Sequence, residues 1–291
     1  MAELQLLEAT HPDRMAKQHF DALVGLDAHK QRLIDGLVLV MAHNRLETWV
    51  HRHHPKGLLL VETFRSASPL VLLAGEVGCG KTALATTIGT PLAHELKEKV
   101  LVLETPSNIR GTGMVGELSA RVTDAFTQAR AKVGKGAGLL IIDEADDLGL
   151  SRSERQAHHE DRAGLNVLIK QIDLLVREKT RMAVLMITNR ARAMDPALLR
   201  RATLTLEFTR PGPVERRHLF ERMLEGSHYK AQDVELLVSR SERPVLFSYS
   251  DLTQRVARTA LLDSLRRDTP FGTESLLAAL EIVEPSPLME G

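Results

Sequence analysis

Leu70-Val71-Leu72-Leu73-Ala74-Gly75-Glu76-Val77-Gly78-Cys79-Gly80-Lys81-Thr82 decides the fold. An apolar run reads as a buried strand, a glycine-rich turn ends in Lys-Thr, and a helix-compatible segment follows. Strand, phosphate loop and helix in that order imply a nucleoside triphosphate site. Glycines let backbone N–H groups turn inward around phosphates, Lys81 reaches the β and γ phosphates, and the Thr82 hydroxyl ligates Mg²⁺. The helix adds its positive N-terminal end. Gly75, Glu76, Val77, Gly78, Cys79, Gly80, Lys81 and Thr82 are therefore the first candidate contacts.

A second buried strand, Leu139-Leu140-Ile141-Ile142, ends in Asp143-Glu144. In a phosphate-loop protein Asp143 holds Mg²⁺ through its water shell and Glu144 polarises the attacking water. Their alternative reading is a solvated strand end, with Asp146 and Asp147 as further surface charges. Val184-Leu185-Met186-Ile187-Thr188 leads to Asn189, a neutral amide able to bond the water or the γ phosphate without competing for metal; an Asn capping a turn is the plainer reading. Met194 to Arg201 then reads as a short helix carrying two guanidinium groups. Arg201, with Arg200 as second choice, is the candidate for neutralising charge on a γ phosphate; two cations complementing a helix C-terminus is the alternative.

Outward from these motifs, apolar runs at Leu70 to Ala74, Val100 to Leu103, Gly138 to Ile142, Ala183 to Thr188 and Thr203 to Phe208 alternate with amphipathic stretches. This is an α/β pattern, a parallel sheet with crossover helices. Leu118, Val122, Phe126 and Ala129 mark one helix face, and Leu165, Leu168, Ile172 and Leu175 another. Ala28 to Val50 reads as one long helix ending at His51-Arg52-His53-His54. Pro211-Gly212-Pro213 punctuates the chain, and beyond it only helices are expected, near Val214 to Leu224, Ala231 to Ser239, Ser250 to Arg266 and Glu274 to Ile282, with Ser248 and Asp251 as a capping box. The expected division is a large domain over 1–210, with a short N-terminal extension over 1–20, and a small helical lid over 211–291.

Composition narrows the function classes. The 291 residues carry 38 basic and 38 acidic side chains and 43% apolar residues, so no global field draws in nucleic acid or anionic membrane. No apolar run approaches the roughly 18 residues of a membrane span, and the acidic N-terminus does not read as a secretory signal. One cysteine, Cys79, excludes an intrachain disulfide and fits a reducing cytoplasm. No Cys or carboxylate completes a ligand set for the histidines at 51–54, those at 158–159 fall in an expected loop, and both groups read as solvated loop residues.

These elements in this order resemble the AAA+ ATPases, from Asp21-Ala22-Leu23-Val24-Gly25-Leu26 to the helical end. The resemblance implies ATP and Mg²⁺ as cofactors, Val24 and Gly25 as nucleotide contacts, and a homo-oligomeric, usually hexameric, ring in which a neighbour donates the arginine finger. Gly113-Met114-Val115-Gly116-Glu117 is similar to a substrate-gripping pore loop, with Met114 where an aromatic residue often stands; a flexible glycine loop is the alternative. Ser151 to Asp161, including His158 and His159, would be the second pore loop. Leu198-Leu199-Arg200-Arg201-Ala202 lacks the Arg-Pro-Gly-Arg run of proteasomal relatives and looks closer to the pachytene-checkpoint branch, which remodels HORMA-domain proteins. Bacterial members of that branch accompany HORMA proteins and second-messenger nucleotidyltransferases in anti-phage signalling. The resemblance thus implies an ATP-driven remodeller that dismantles a HORMA complex and switches the signal off.

Several departures stand beside it. Glu76 and Val77 replace the usual prolines, at positions expected to face away from the phosphates. Phe247-Ser248-Tyr249-Ser250 lacks the lid arginine, leaving Arg255 as substitute second sensor. Too few residues precede Asp21 for a separate substrate domain, so the pore face or a partner would recruit substrate. Two rival functions remain, an ATPase helper of DNA replication or transposition and a nucleotide-dependent assembly switch. The first would want a basic stripe or a DNA-binding helix pair, and neither is present.

Overall fold

The computed structural model describes residues 4–61, 67–106, 116–147, 159–190 and 193–288, apart from the side chains of 147 and 159–162. The chain begins with β1 (Leu7–His11), α1 (Arg14–Ala22), α2 (Asp27–Met41) and α3 (His43–His53). The alternating part follows: β2 (Leu70–Gly75), α4 (Lys81–Thr87), α5 (Gly89–Leu96), β3 (Val100–Glu104), α6 (Glu117–Val133), β4 (Ala137–Ile142), α7 (His159–Arg177), β5 (Met182–Thr188), α8 (Pro196–Leu199) and β6 (Ala202–Phe208). The last part is helical, with α9 (Pro213–Met223), α10 (Ala231–Arg240), a π-turn (Asp251–Val256) running into α11 (Ala257–Arg267), and α12 (Thr273–Ile282).

All five expected strands are present, and they form one sheet in the order β1-β3-β4-β5-β2-β6. Every neighbouring pair except β1 with β3 is parallel. Strands buried on both faces read as continuous apolar runs, which is why β2, β4 and β5 were visible in sequence. The pleat sends alternate residues to opposite faces. Leu140 and Ile142 meet Leu118, Val122, Phe126, Leu165 and Leu168 of α6 and α7 on one side. Leu139 and Ile141 share the other side with Leu33 and Leu37 of α2, Leu84 of α4, Ile88 at the junction of α4 and α5, and Leu92 of α5.

Two expectations are corrected. The segment 7–11 is a strand, antiparallel to β3, where none was expected. Four of its five residues are exposed, so its place rests on backbone ladder bonds with no apolar alternation to announce them. The long helix over 28–50 is broken at Ala42 into α2 and α3. α2 buries Leu33, Leu37, Val40 and Met41 against the sheet, whereas α3 buries nothing, so the chain leaves the sheet once its apolar stripe ends. The Arg181 Nε–H donates to the Met41 carbonyl at 3.0 Å, supplying a partner at that helix end.

Beyond Pro213 a third core gathers Leu219, Phe220, Val234, Leu237, Phe247, Leu252, Val256 and Leu276, with Val24 and Tyr249 packed against its edge. The capping box is present: the Ser248 N–H donates to Asp251 Oδ2 at 3.0 Å and the Asp251 N–H to Ser248 Oγ at 3.0 Å. Among the described residues no helix is long and apolar enough to cross a membrane.

Candidate nucleotide cleft

The parallel strands β2, β4 and β5 are adjacent, so their C-terminal ends open onto one place, where α/β sheets present ligands. A cleft of about 620 Å³ lies there. The phosphate loop from Val77 to Thr82 forms its floor, Asp143, Glu144 and Asn189 one wall, Ala22, Leu23, Val24 and Leu26 its apolar end, and Leu219, Tyr249, Ser250, Thr253 and Gln254 its cover. A larger hollow of about 820 Å³ lies at the opposite strand ends, near Pro69, Glu98 and Arg181, and holds none of the candidate residues. Converging polar groups, not size, mark the site.

The loop's shape depends on glycine. At Gly80, φ is +93° and a Cβ would stand 2.8 Å from Leu26 Cδ1. At Gly75, φ is +132° and a Cβ would meet the Phe208 carbonyl oxygen at 2.0 Å, so only glycine lets β2 leave the sheet beside β6. Lys81 is 5% exposed, and its Nζ donates to the carbonyls of Gly75 at 2.8 Å and Glu76 at 2.7 Å. Burial lowers its pKa, opposed by the charges of Asp143, Asp146 and Glu76. Those carbonyl bonds place the ammonium where an anion on the loop would claim it.

Thr82 Oγ1 donates to Asp143 Oδ2 at 2.8 Å, which joins the phosphate-loop helix to the end of β4. A hydroxyl and a carboxylate are hard oxygen donors of the kind Mg²⁺ accepts, and two protein oxygens leave room for waters and phosphate oxygens. No cluster of three or more His, Cys, Asp or Glu able to hold a metal exists among the described residues. The donor set therefore fits a cation that arrives with a phosphate ligand. Glu144 has φ +52°, an uncommon conformation for a residue with a side chain, and its N–H donates to Asp143 Oδ1 at 2.7 Å. Glu144 lines the cleft beside Asp143.

Asp146, a surface charge only in the alternative reading of the strand end, is a clamp. Its Oδ1 accepts from the Thr188 hydroxyl, from the Asn189 N–H at 3.1 Å and from the Arg190 N–H at 3.0 Å. The carboxylate thus bolts the turn after β4 to the end of β5 and fixes the backbone that carries Asn189. A Thr-Asn pair after a buried strand was the signal available for it. Tyr249 was missed as a site residue. Its hydroxyl donates to the Gly25 carbonyl at 3.3 Å, and a Cβ at Gly25 would meet that oxygen at 2.6 Å. Cys79 is 1% exposed, and burial pushes its thiol up to about 11, so it is protonated at neutral pH.

Other expected residues lie elsewhere. Glu76 does not line the cleft, and its carboxylate is paired with Arg210 at 2.6 Å. Arg255 does not line the cleft: its Nη1 is held by Asp251 Oδ1 at 2.8 Å and Ser286 Oγ at 3.3 Å, and Thr253 and Gln254 occupy the covering positions instead. Burial pushes the Asp251 carboxyl up, but bonds from Ser286, Ser248 and Arg255 together hold it well below the usual carboxylate range. Arg201 makes a two-pronged pair with Asp173 at 2.9 and 3.1 Å and also donates to the Ala197 carbonyl of α8 at 3.2 Å, outside the cleft of its own chain. Arg200 is exposed beside it. Met114, Val115 and His158 fall outside the described residues. Gly116 precedes α6 with φ +82°, and of His159 only its place in α7 is described.

The family described as ATPases associated with various cellular activities (AAA) matches residues 71–210. CD-NTase-associated protein 6 of Escherichia coli (strain MS 115-1) is 39% identical over 285 residues, covering 94% of this chain and 90% of that protein. A chain in the solved E. coli MS115-1 HORMA:CdnC:Trip13 complex superposes with TM-score 0.91 at 37% identity, covering 99% of this chain and 98% of that one. Rhizobiales Trip13 superposes with TM-score 0.75 at 33% identity, over 97% of this chain and 98% of that one.

Proposed function

This chain belongs to the AAA family of ATPases, in company with the Trip13-type proteins, and from that premise we propose that it hydrolyses ATP to drive the disassembly of a complex containing a HORMA-domain protein. The observation that carries the catalytic half is the convergence of Lys81, Thr82, Asp143, Glu144 and Asn189 on one cleft.

Lys81 leaves its two carbonyls to bind the terminal phosphates, while the loop N–H groups bind their oxygens. Thr82 would hold Mg²⁺ directly and Asp143 through its water shell, and the ion would neutralise charge on the phosphates. Glu144 accepts a proton from water as the water oxygen bonds to the γ phosphorus and the bond to the β-phosphate oxygen breaks, leaving ADP and inorganic phosphate. Asn189, fixed by Asp146, bonds the water or the γ phosphate. The adenine is assigned to the apolar end of the cleft, which Val24 lines, with Gly25 next to it in the chain and held by the Tyr249 hydroxyl.

Neither Arg200 nor Arg201, which follow α8 directly, lines the chain's own cleft, which supports a reading in which Arg201, with Arg200 beside it, serves the site of a neighbouring copy in a ring of six. Met114 and Val115, next to Gly116, and His158 and His159 are proposed to touch the substrate in the pore. The expected division into a large domain over 1–210 and a lid over 211–291 then makes the lid the part that moves with nucleotide state. The HORMA:CdnC:Trip13 complex formed by a similar protein supports a HORMA-domain protein bound to a nucleotidyltransferase as the substrate, and a bacterial cytoplasm is the proposed setting.

The test is Glu144→Gln in the full chain. Phosphate release should fall about 10²- to 10⁴-fold with nucleotide binding retained, and dissociation of a purified HORMA–nucleotidyltransferase complex should stop. Unchanged phosphate release would remove Glu144 from the chemistry. Hydrolysis stimulated by single-stranded DNA, with no response to a HORMA protein, would favour the DNA-helper reading.

A further inference from the structure

Arg210 lies between β6 and α9, and its side chain is 6% exposed. Its Nε donates to Glu76 Oε2 of the phosphate loop at 2.6 Å. Nη1 donates to the carbonyls of Leu246 and of Ser286, the latter at 2.7 Å, and Nη2 to that of Pro287 at 3.0 Å. One guanidinium therefore holds three segments far apart in sequence: the phosphate loop, the turn before Ser248, and the segment after α12. That last segment is fastened independently, because Asp251 accepts from the Ser286 N–H at 3.1 Å and from its hydroxyl at 2.6 Å.

Glu76 is the junction. Its backbone carbonyl accepts from Lys81 Nζ at 2.7 Å while its carboxylate holds Arg210. The neighbouring Gly78 carbonyl accepts from the Ser250 N–H at 2.9 Å. Any ligand that draws Lys81 off the loop carbonyls thus takes a partner from the same residue that ties the loop to the helical part. A fork with four bonds to three segments resists a shift in one of them unless the others follow.

We propose that Arg210 is a positioning residue that makes the phosphate loop, the lid and the terminal 284–288 strap change together. The proposal rests on the nucleotide-binding reading of the cleft. Bound nucleotide moves the Glu76 peptide, Arg210 carries the shift to Leu246 and Ser286, and the lid angle follows. The residue touches no substrate, so its effect falls on nucleotide release and on kcat, not on the first capture of ATP.

The experiment compares full-length Arg210→Gln, Arg210→Lys, Glu76→Gln, the Glu76→Gln/Arg210→Gln double variant, and Ser286→Ala. Three readings are taken: phosphate release for kcat and KM, dissociation of a fluorescent ADP analogue by stopped flow, and thermal unfolding. Arg210→Gln should lower kcat about tenfold and speed ADP release several-fold, and the double variant should be no worse than Arg210→Gln alone, as expected for residues acting through one contact. Arg210→Lys should not restore kcat, since the charge is kept and the fork is lost. Ser286→Ala, which loosens the strap without touching Arg210, should speed ADP release in the same direction.

Wild-type kcat and ADP release in Arg210→Gln, with only the melting temperature lowered, would overturn the proposal, as would fully additive effects in the double variant. If Arg210→Gln does not fold, unchanged ADP release in both Arg210→Lys and Ser286→Ala overturns it. A wild-type chain that neither binds the ADP analogue nor releases phosphate defeats the nucleotide reading itself, which is a distinct result.

Discussion

Replacing Asp146 by Ala removes a carboxylate that accepts three hydrogen bonds between the turn after β4 and the end of β5. The Arg190 N–H retains the Thr188 hydroxyl as a second acceptor at 3.0 Å, so the Asn189 N–H suffers most. Bonds to a charged acceptor contribute about 1.5–3 kcal/mol each. Asp146 is half-exposed and water replaces part of each bond, so a total near 2–3 kcal/mol is expected, a fall of roughly 4–10 °C in Tm for a chain of this size. The catalytic loss should be larger than that stability loss suggests. Asn189 would be free to drift, and a misplacement of about 1 Å can cost on the order of 100-fold in rate. Phosphate release, binding of a fluorescent ADP analogue and thermal unfolding should be measured together. The expected pattern is kcat down about 10- to 100-fold with ADP affinity within a few-fold of wild type. Wild-type kcat in a folded Asp146→Ala protein would refute the idea that this clamp positions Asn189.

Gly75→Ala should fail to fold or lose at least about 3 kcal/mol in denaturant unfolding, because its Cβ meets the Phe208 carbonyl at 2.0 Å in a left-handed backbone; a variant of wild-type stability would refute that close approach. Cys79, with its thiol pushed up to about 11 by burial, should label slowly with a thiol reagent at pH 8 in the native state and rapidly in denaturant, and fast native labelling would contradict its enclosure. Buried His11, bonded through Nδ1 to the Thr90 hydroxyl at 2.8 Å, has its pKa lowered by burial against the opposing charge of Asp13. The unfolded chain then binds the proton more readily, so stability should be full above the ordinary histidine value of 6.5 and decline as pH falls below it. The difference in Tm between wild type and His11→Gln should shrink from pH 7.5 to pH 5, and a constant difference would exclude this contribution.

The sheet and the cleft were legible in sequence to different degrees, for physical reasons. β2, β4 and β5 are buried on both faces and leave uninterrupted apolar runs, and the residues at their ends, Lys81, Thr82, Asp143, Glu144 and Asn189, follow from where such strands stop. β1 was hidden because an exposed edge strand is specified by its partner's backbone. The break at Ala42 was hidden because helical spacing continues across it while the buried surface does not. Asp146 and Arg210 look like surface charges in a string of letters, since most of their partners are backbone groups, as many as 77 positions away. Arg255 drew notice as a lid cation, but its partners Asp251 and Ser286 lie across the capping turn.

The position of β5 between β4 and β2 sets a gauge for the chemistry. The strand carrying Asp143 and the strand feeding the phosphate loop stand two ladder spacings apart, roughly 9.5 Å, a width determined by backbone bonding alone. Surface loops around the cleft can lengthen, shorten or exchange their residues during divergence without altering that width. Variation in those loops is therefore decoupled, by simple carpentry, from the spacing between Asp143 and the phosphate loop.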